Sequence, residues 1–145
     1  MDTKKSSMVK SMKKMIKYKV KKLKPHVERR GWLVELLKAH QLEKPIKQIH
    51  IASIEPGHVR GNHYHSKMTE WIFIFGDGGE LSLQDIKTKR KVRLKFSLRY
   101  PKVVTIFPYI SHAVENKGKG TIYLVSAQSE IYNHRKPDAV RWVIK

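Results

Sequence analysis

Three histidines and one glutamate are spaced so that they could bind a metal ion together. His63 and His65 lie two residues apart, and Glu70 follows five residues after His65. Side chains two apart on a β-strand project to the same face, so both imidazoles would point together while Tyr64 points away. Imidazole and carboxylate groups suit divalent first-row metals, and His112 could complete the set. We predict one divalent ion, which could be zinc, iron, manganese or nickel, held by His63, His65, Glu70 and His112.

Separate strands would have to carry these four side chains. Glu70 begins the apolar run 70–75, which is typical of the next antiparallel strand after a short turn. His112 begins a later strand over 112–116, after a segment in which Pro108 indicates a turn or an edge position. A lone histidine is more often a surface residue or a hydrogen-bonded core residue. Ligands converging from several strands favour a shared site instead.

Most of the chain has the pattern of short β-strands. Turn signals separate these segments, and the strongest is Gly-Asp-Gly-Gly at 76–79. Helix is expected only in the N-terminal tail, with one further turn near 37–42. Roughly ten strands in one small chain indicate a sandwich or a jelly-roll barrel. The predicted strands are 16–22, 31–37, 46–54, 57–65, 70–75, 80–86, 91–96, 103–107, 112–116, 121–126 and 140–144.

The size and composition of the chain indicate one globular domain. The 145 residues are 40% hydrophobic, which is enough for a modest core. Cysteine is absent, so disulfides, thiolate metal sites and cysteine nucleophiles are excluded. No apolar stretch is long enough to span a bilayer, and the N-terminus lacks the apolar region of a secretory signal. We therefore expect a soluble cytoplasmic protein.

The net charge of +19 is concentrated toward the N-terminus. Residues 1–24 contain ten lysines and a single acidic residue. Residues 5–17 could form a short basic amphipathic helix, but we favour disorder through about residue 14. This gives a basic extension over 1–14 and a folded domain over 15–145. The tail could contact nucleic acid or an anionic membrane. We do not favour that partner, because the chain has no nucleic-acid-binding motif, and a basic domain also suits an anionic small substrate.

A family resemblance adds to this interpretation. Residues 57–70 contain a glycine, five residues, His-x-His, four residues and a glutamate. This spacing resembles the first motif of the cupin superfamily, and His112 with Asn116 resembles the end of the second. The Pro-x-Gly that normally precedes that histidine is replaced by Phe-Pro-Tyr at 107–109, and Gly76 comes one residue early. Both departures lie at turns. The resemblance implies an all-β, single-domain double-stranded β-helix, the jelly-roll cupin barrel.

Two further segments narrow the resemblance. Residues 28–35 and the block Arg-Gly-Asn-His-Tyr-His at 60–65 resemble segments of dTDP-4-dehydrorhamnose 3,5-epimerase relatives. His65 stands where those epimerases usually have glutamine. The block is therefore similar to the metal-binding C-terminal cupin of capsular-polysaccharide synthesis enzymes, as is the stretch 126–138. This implies an enzyme of polysaccharide or nucleotide-sugar biosynthesis that epimerises or isomerises a 4-keto sugar nucleotide by removing a proton beside the ketone.

The resemblance leaves the catalytic base open. In the metal-free epimerases the histidine that matches His63 is the base, but an imidazole that binds metal has no free lone pair for that task. If metal is bound, His58 or a metal-bound hydroxide becomes the candidate base. If it is absent, His63 takes that role. Tyr132 is the candidate acid by resemblance, with a structural wall residue as the alternative.

Two arginines are candidates for binding the diphosphate. A guanidinium can bind two phosphate oxygens at once and stays charged at every working pH. Arg60 lies three residues before His63, and Arg30 belongs to the segment that in the family reaches a neighbouring subunit, which implies a homodimer. The alternative for both is an ordinary surface arginine. An alternative for the whole protein is a non-catalytic metal-holding cupin that binds a small carbohydrate.

Overall fold

The computed structural model describes residues 16–145, which form an almost entirely β structure. The basic extension at 1–14 and most of the alternative helix at 5–17 lie outside the described residues, so the extension stays a prediction. Among residues 16–145, no helix has the length and apolar character that crossing a membrane requires. The predicted all-β jelly-roll fold is confirmed. Its twelve strands are β1 (Tyr18–Lys22), β2 (His26–Glu28), β3 (Gly31–Leu33), β4 (Gln48–Ile54), β5 (Val59–His65), β6 (Glu70–Phe75), β7 (Gly79–Asp85), β8 (Lys91–Lys95), β9 (Lys102–Ile106), β10 (Ile110–Asn116), β11 (Ile122–Gln128) and β12 (Ala139–Arg141).

Two five-stranded antiparallel sheets make up the barrel. One has the strand order β1-β9-β6-β11-β4, and the other has the order β12-β5-β10-β7-β8. The strands β2 and β3 form a separate hairpin. Consecutive side chains on a strand alternate between its two faces, so each sheet turns one apolar row toward the other. The facing rows form the main core, which includes Ile72, Ile74, Leu81, Leu83 and Val104.

The strand β6 is buried on both faces, which explains its unbroken apolar sequence. Ile72 and Ile74 point into the main core, whereas Trp71 and Phe73 belong to a second cluster on the outer side. Leucine and isoleucine side chains from the segment between β1 and β4 cover that outer side. A strand covered on both faces shows no polar alternation. Glu70, at the start of this strand, is consequently held in a rigid and buried position.

Most predicted strands agree with the structure within about two residues at either end. The strand predicted over 31–37 ends at Leu33, and its partner β2 was not predicted. The helical turn expected near 37–42 is a single 3-10 turn over Ala39–Gln41. The strand β10 begins at Ile110 rather than at His112, so His112 is internal to a strand that pairs with a neighbouring strand on each side.

Candidate metal centre

Neighbouring strands bring the predicted ligands together. His63 and His65 lie on β5, and His112 lies on the adjacent strand β10 directly opposite His63. The pairing shifts register immediately after His112, because Asn62 is an extra residue on β5 between His63 and Gly61. A Cβ atom at Gly61 would lie 2.5 Å from the backbone oxygen of His112, and the φ angle of this glycine is +102°. Only glycine lets the two strands approach this closely.

The four side chains form a compact group whose ligand atoms all lie within 4.8 Å of one another. Oε1 of Glu70 is 2.6 Å from Nε2 of His65 and 3.7 Å from Nε2 of His112. The ring centroids of His63 and His112 are 4.8 Å apart. His65, Glu70 and His112 are buried, and His63 is half-buried at the open side of the group. Three imidazoles and a carboxylate from three strands therefore converge on one point.

The hydrogen bonding of His65 favours a cation in this group. Both of its ring nitrogens are buried, and neither makes a hydrogen bond of acceptable geometry. Nε2 approaches the Glu70 carboxylate closely, but the contact is not aligned for hydrogen bonding. Buried polar atoms are rarely left unpaired. A divalent cation bound by Nε2 of His65 and by the Glu70 carboxylate oxygen would give each of these two atoms a partner. The residues present therefore fit a metal ligand set.

The electrostatics of the group keep its donors in the form that a metal requires. Burial, reinforced by His112 and His65, lowers the pKa of His63 to about 4. Burial also lowers the pKa of His112. Burial alone would raise the pKa of Glu70, but attraction to His112 and the contacts with His65 and Ser126 outweigh it and lower that pKa to about 2. Near pH 7, His63 and His112 are therefore neutral and Glu70 is ionised, as metal binding requires.

Two contacts outside the group orient its members. Nδ1 of His112 lies 3.3 Å from the backbone oxygen of Ile110. A proton on Nδ1 would donate to that oxygen and leave the Nε2 lone pair directed at the group. The Oγ atom of Ser126 donates to Oε2 of Glu70 over 3.0 Å, which leaves Oε1 facing the imidazoles. The arrangement resembles a metal centre with oriented ligands more than a set of core histidines.

A cavity of about 280 Å³ opens onto the ligand group. Arg60 and Tyr132, both predicted from the sequence, line this cavity. Nε of Arg60 donates to the backbone oxygen of Ser53 over 2.9 Å, which fixes the side chain through one nitrogen only. The backbone N–H of Tyr132 donates to Oε1 of Gln48 over 3.2 Å. The Arg60 side chain and the Tyr132 backbone are thus anchored beside the cavity.

His50, which is not among the site residues predicted from the sequence, also lines the cavity. It lies on β4, where Ile49 and Ile51 point outward and are 63% and 68% exposed. The alternation that places those two isoleucines outside places His50 and Ala52 on the cavity side. This period-two signal was present in the sequence. A single histidine on a strand is weak evidence of function, so this signal alone does not identify a site residue.

Two other predicted residues lie away from the cavity. His58 lines a separate surface depression, and its backbone oxygen accepts a hydrogen bond from Asn116, at the far end of β10 from the His112–His63 pair. About 13 Å of extended strand separates the two positions, at roughly 3.3 Å per residue. Arg30 lies in the turn of the β2–β3 hairpin, where its exposed side chain forms an ion pair of 2.8 Å with Glu28.

Comparison with known proteins shows the family of this chain. The sequence pattern of the family described as polysaccharide biosynthesis C-terminal domain matches residues 26–140. A curated relative, the spore coat polysaccharide biosynthesis protein SpsL of Bacillus subtilis, is 26% identical over 130 residues. That match covers 85% of this chain and 85% of the relative.

Two solved structures have a similar fold. The capsular polysaccharide assembling protein CapF of Staphylococcus aureus is 21% identical, with a TM-score of 0.65 over 84% of this chain. The chain spans about a third of the length of CapF, 34%. A mutant of the 3,4-ketoisomerase QdtA of Thermoanaerobacterium thermosaccharolyticum, in complex with TDP-4-keto-6-deoxyglucose, is 17% identical with a TM-score of 0.69. That match covers 88% of each chain. At these identities the likeness establishes the fold.

Proposed function

Since the chain belongs to the polysaccharide biosynthesis C-terminal domain family, we propose that it is a metal-binding cupin that epimerises or isomerises a 4-keto sugar nucleotide. The observation that carries this proposal is the convergence of four ligand atoms within 4.8 Å at a cavity that Arg60, His50 and Tyr132 also line. The similarity to a 3,4-ketoisomerase in complex with a 4-keto nucleotide sugar supports this substrate class.

Such a reaction begins with the loss of a proton from the carbon beside the ketone. The C–H electron pair moves into the adjacent bond and the carbonyl π pair moves onto oxygen, which gives an enolate. In an epimerisation, a proton returns to the same carbon from the other face. In an isomerisation, the hydroxyl on that carbon gives up its proton and becomes the new ketone, while the former carbonyl carbon and its oxygen each take up a proton. A divalent metal bound by the four ligands would polarise the ketone and stabilise the enolate oxygen. The remaining requirement is a base and an acid that are not metal ligands.

His50 and Tyr132 are the groups lining the cavity that could move these protons. The backbone of His50 pairs with that of Ser126 on the neighbouring strand, and the hydroxyl of Ser126 donates to Glu70. His50 is therefore next to a residue that contacts the ligand group. We assign His50 the role of base and Tyr132 that of acid. His58 is not part of this assignment, because it does not line the cavity. If the chain proves to bind no metal, His63 becomes the base.

Arg60 is the proposed contact for the diphosphate. Its hydrogen bond to Ser53 uses Nε, and a bidentate contact with phosphate could use the two terminal nitrogens. Arg30 lies outside the cavity of its own chain, so a role for it in substrate binding requires the homodimer that the family resemblance implies. We propose that dimer, with Arg30 reaching the partner's cavity.

Solvent deuterium exchange tests the proposed reaction. The protein is incubated in D₂O with TDP-4-keto-6-deoxyglucose, and deuterium incorporation beside the ketone is followed by ¹H NMR and mass spectrometry. We expect incorporation with the parent protein and a loss of about 100-fold or more with His50→Ala. His40→Ala is the matched control, because this imidazole is exposed in the 3-10 turn and does not line the cavity.

The outcomes separate the enzyme from its alternative. Full exchange in His50→Ala would remove the base role of His50 while leaving the reaction in place. No exchange with any 4-keto nucleotide sugar, in a protein that does bind metal, would exclude the enzyme and favour the non-catalytic carbohydrate-binding cupin. A deletion of residues 1–14 that abolishes salt-dependent binding to nucleic acid would support a separate role for the tail.

A further inference from the structure

The carboxylate of Asp138 is held by a ring of donors from the loop between β5 and β6. The backbone N–H of Ser66 donates to Oδ1 over 3.1 Å, and the hydroxyl of Ser66 donates to the same oxygen. The N–H groups of Lys67 and Met68 donate to Oδ2 over 3.2 Å and 3.0 Å. Asp138 is therefore a fixed carboxylate.

The Asp138 carboxylate also faces His65, the metal-ligand candidate whose two ring nitrogens are buried without a hydrogen-bond partner. Oδ2 of Asp138 lies 3.6 Å from Nδ1 of His65, and Nδ1 is buried without a hydrogen-bond partner. Asp138 directly precedes β12, in which Ala139 pairs with His65 itself. The pairing of β12 with β5 and the hydrogen bonds from residues 66–68 thus both hold the Asp138 carboxylate beside the His65 ring. A shift of about 0.7 Å would complete a normal N–H···O hydrogen bond.

We propose that Asp138 is a positioning residue that keeps the proton of His65 on Nδ1 and directs its Nε2 lone pair at the metal. This inference rests on the metal site of the proposed function. A histidine ligand commonly donates its second ring N–H to a carboxylate, which fixes its tautomer, orients the ring and makes the coordinating nitrogen more basic. The geometry of Asp138, with His65 between it and Glu70, has this form.

A comparison of two variants tests the role. Asp138→Asn removes the charge beside Nδ1 with little change of size. Ser66→Ala is the matched control, because it removes one donor from the same carboxylate but leaves the carboxylate beside His65. The dissociation constant for Zn²⁺ alone is measured by competition with a chelator, and the melting temperature of each metal-free protein is recorded. We expect Zn²⁺ affinity to fall by about 10 to 100-fold in Asp138→Asn and by less than about threefold in Ser66→Ala.

A second measurement observes His65 directly. In the ¹⁵N-labelled, Zn²⁺-loaded parent protein, long-range ¹H–¹⁵N spectra should show His65 protonated at Nδ1, with its Nε2 resonance shifted by the metal. We expect the Nδ1 proton signal to weaken or move in Asp138→Asn and to stay in place in Ser66→Ala. This readout separates positioning of His65 from a general effect on the loop.

Each outcome decides the inference. Zn²⁺ affinity that is unchanged in Asp138→Asn, or lowered equally in both variants, would overturn it, and so would an Nε2-protonated His65 in the parent. A parent protein that binds no Zn²⁺ would overturn both the inference and the metal site. A selective effect of Asp138→Asn in a protein without deuterium exchange would support the inference while the proposed reaction fails.

Discussion

Ser126 donates a buried hydrogen bond of 3.0 Å to Glu70, and this contact determines which carboxylate oxygen faces the metal-ligand group. Ser126 lies on β11, which pairs with β6 beside Glu70. With Oε2 occupied by the hydroxyl, Oε1 is turned toward His65 and His112. The hydroxyl therefore both satisfies a buried acceptor and orients a ligand candidate.

Ser126→Ala should weaken metal binding without removing a ligand. We expect a loss of about tenfold in divalent-metal affinity, because the carboxylate is no longer held in one orientation. The matched control is Ser111→Ala, since Ser111 is equally buried and its hydroxyl donates to the backbone oxygen of Trp142, away from the ligand group. Titration with Zn²⁺ should show weakening in the first variant and none in the second. Equal affinities in all three proteins would contradict the orienting role.

His65→Ala should abolish or strongly reduce metal content. Elemental analysis of the purified parent should give about one divalent ion per chain, and the variant should retain a small fraction of it. His50→Ala is the control, because His50 lines the same cavity without belonging to the ligand group. Metal near zero in a parent protein never exposed to chelator would exclude the site and return His63 to the role of base.

Glu80 should make the stability of the protein depend on pH in the acid range. Hydrogen bonds from Lys145 at 2.5 Å and Lys117 at 3.1 Å lower its pKa below the ordinary 4.5. Because the unfolded chain binds this proton at a higher pH than the folded chain, the stabilisation is complete above about pH 4.5 and is lost as the pH falls through the folded-state pKa.

Urea unfolding at pH 7 and at pH 3 checks this expectation. Glu80→Gln should lower the free energy of unfolding by about 1 kcal/mol at pH 7 and by less at pH 3, because the Glu80 carboxylate of the unfolded parent chain is largely protonated below its ordinary pKa of 4.5. Glu130→Gln is the control, since the ion pair of Glu130 with Lys47 is exposed and should contribute little. A Glu80→Gln effect that is the same at both pH values would contradict the linkage.

Gly61→Ala should disrupt the pairing that joins the two ligand strands. The new Cβ would clash with the backbone oxygen of His112, and the positive φ angle adds strain. We expect a loss of about 3 kcal/mol in stability together with weakened metal binding. Gly120→Ala is the matched control, because nothing lies within 4 Å of the added atom. Thermal unfolding and Zn²⁺ titration of both variants decide the question. Similar stability in the two would mean that β5 and β10 can separate at no cost.

Most of the strands and the four candidate metal ligands could be predicted from the sequence, because the residue patterns that indicate them are local. A period of two placed His63 and His65 on one face, and the apolar run beginning at Glu70 predicted β6 with the bounds that the structure has. The glycine-rich turn before β7 and the short strands after it likewise follow from neighbouring residues. These features depend on steric preferences that act over a few residues.

Only the tertiary structure decided how distant segments meet. The pairing of β12 with β5 and the register of β5 against β10 depend on packing between remote parts of the chain, which no local pattern specifies. The same register separates His58 from the cavity, and the sheet pairing brings His50 to it. Asp138 reaches His65 because β12 pairs with β5. The sequence by itself thus determined which side chains could bind a metal, and the sheet register determined which others surround them.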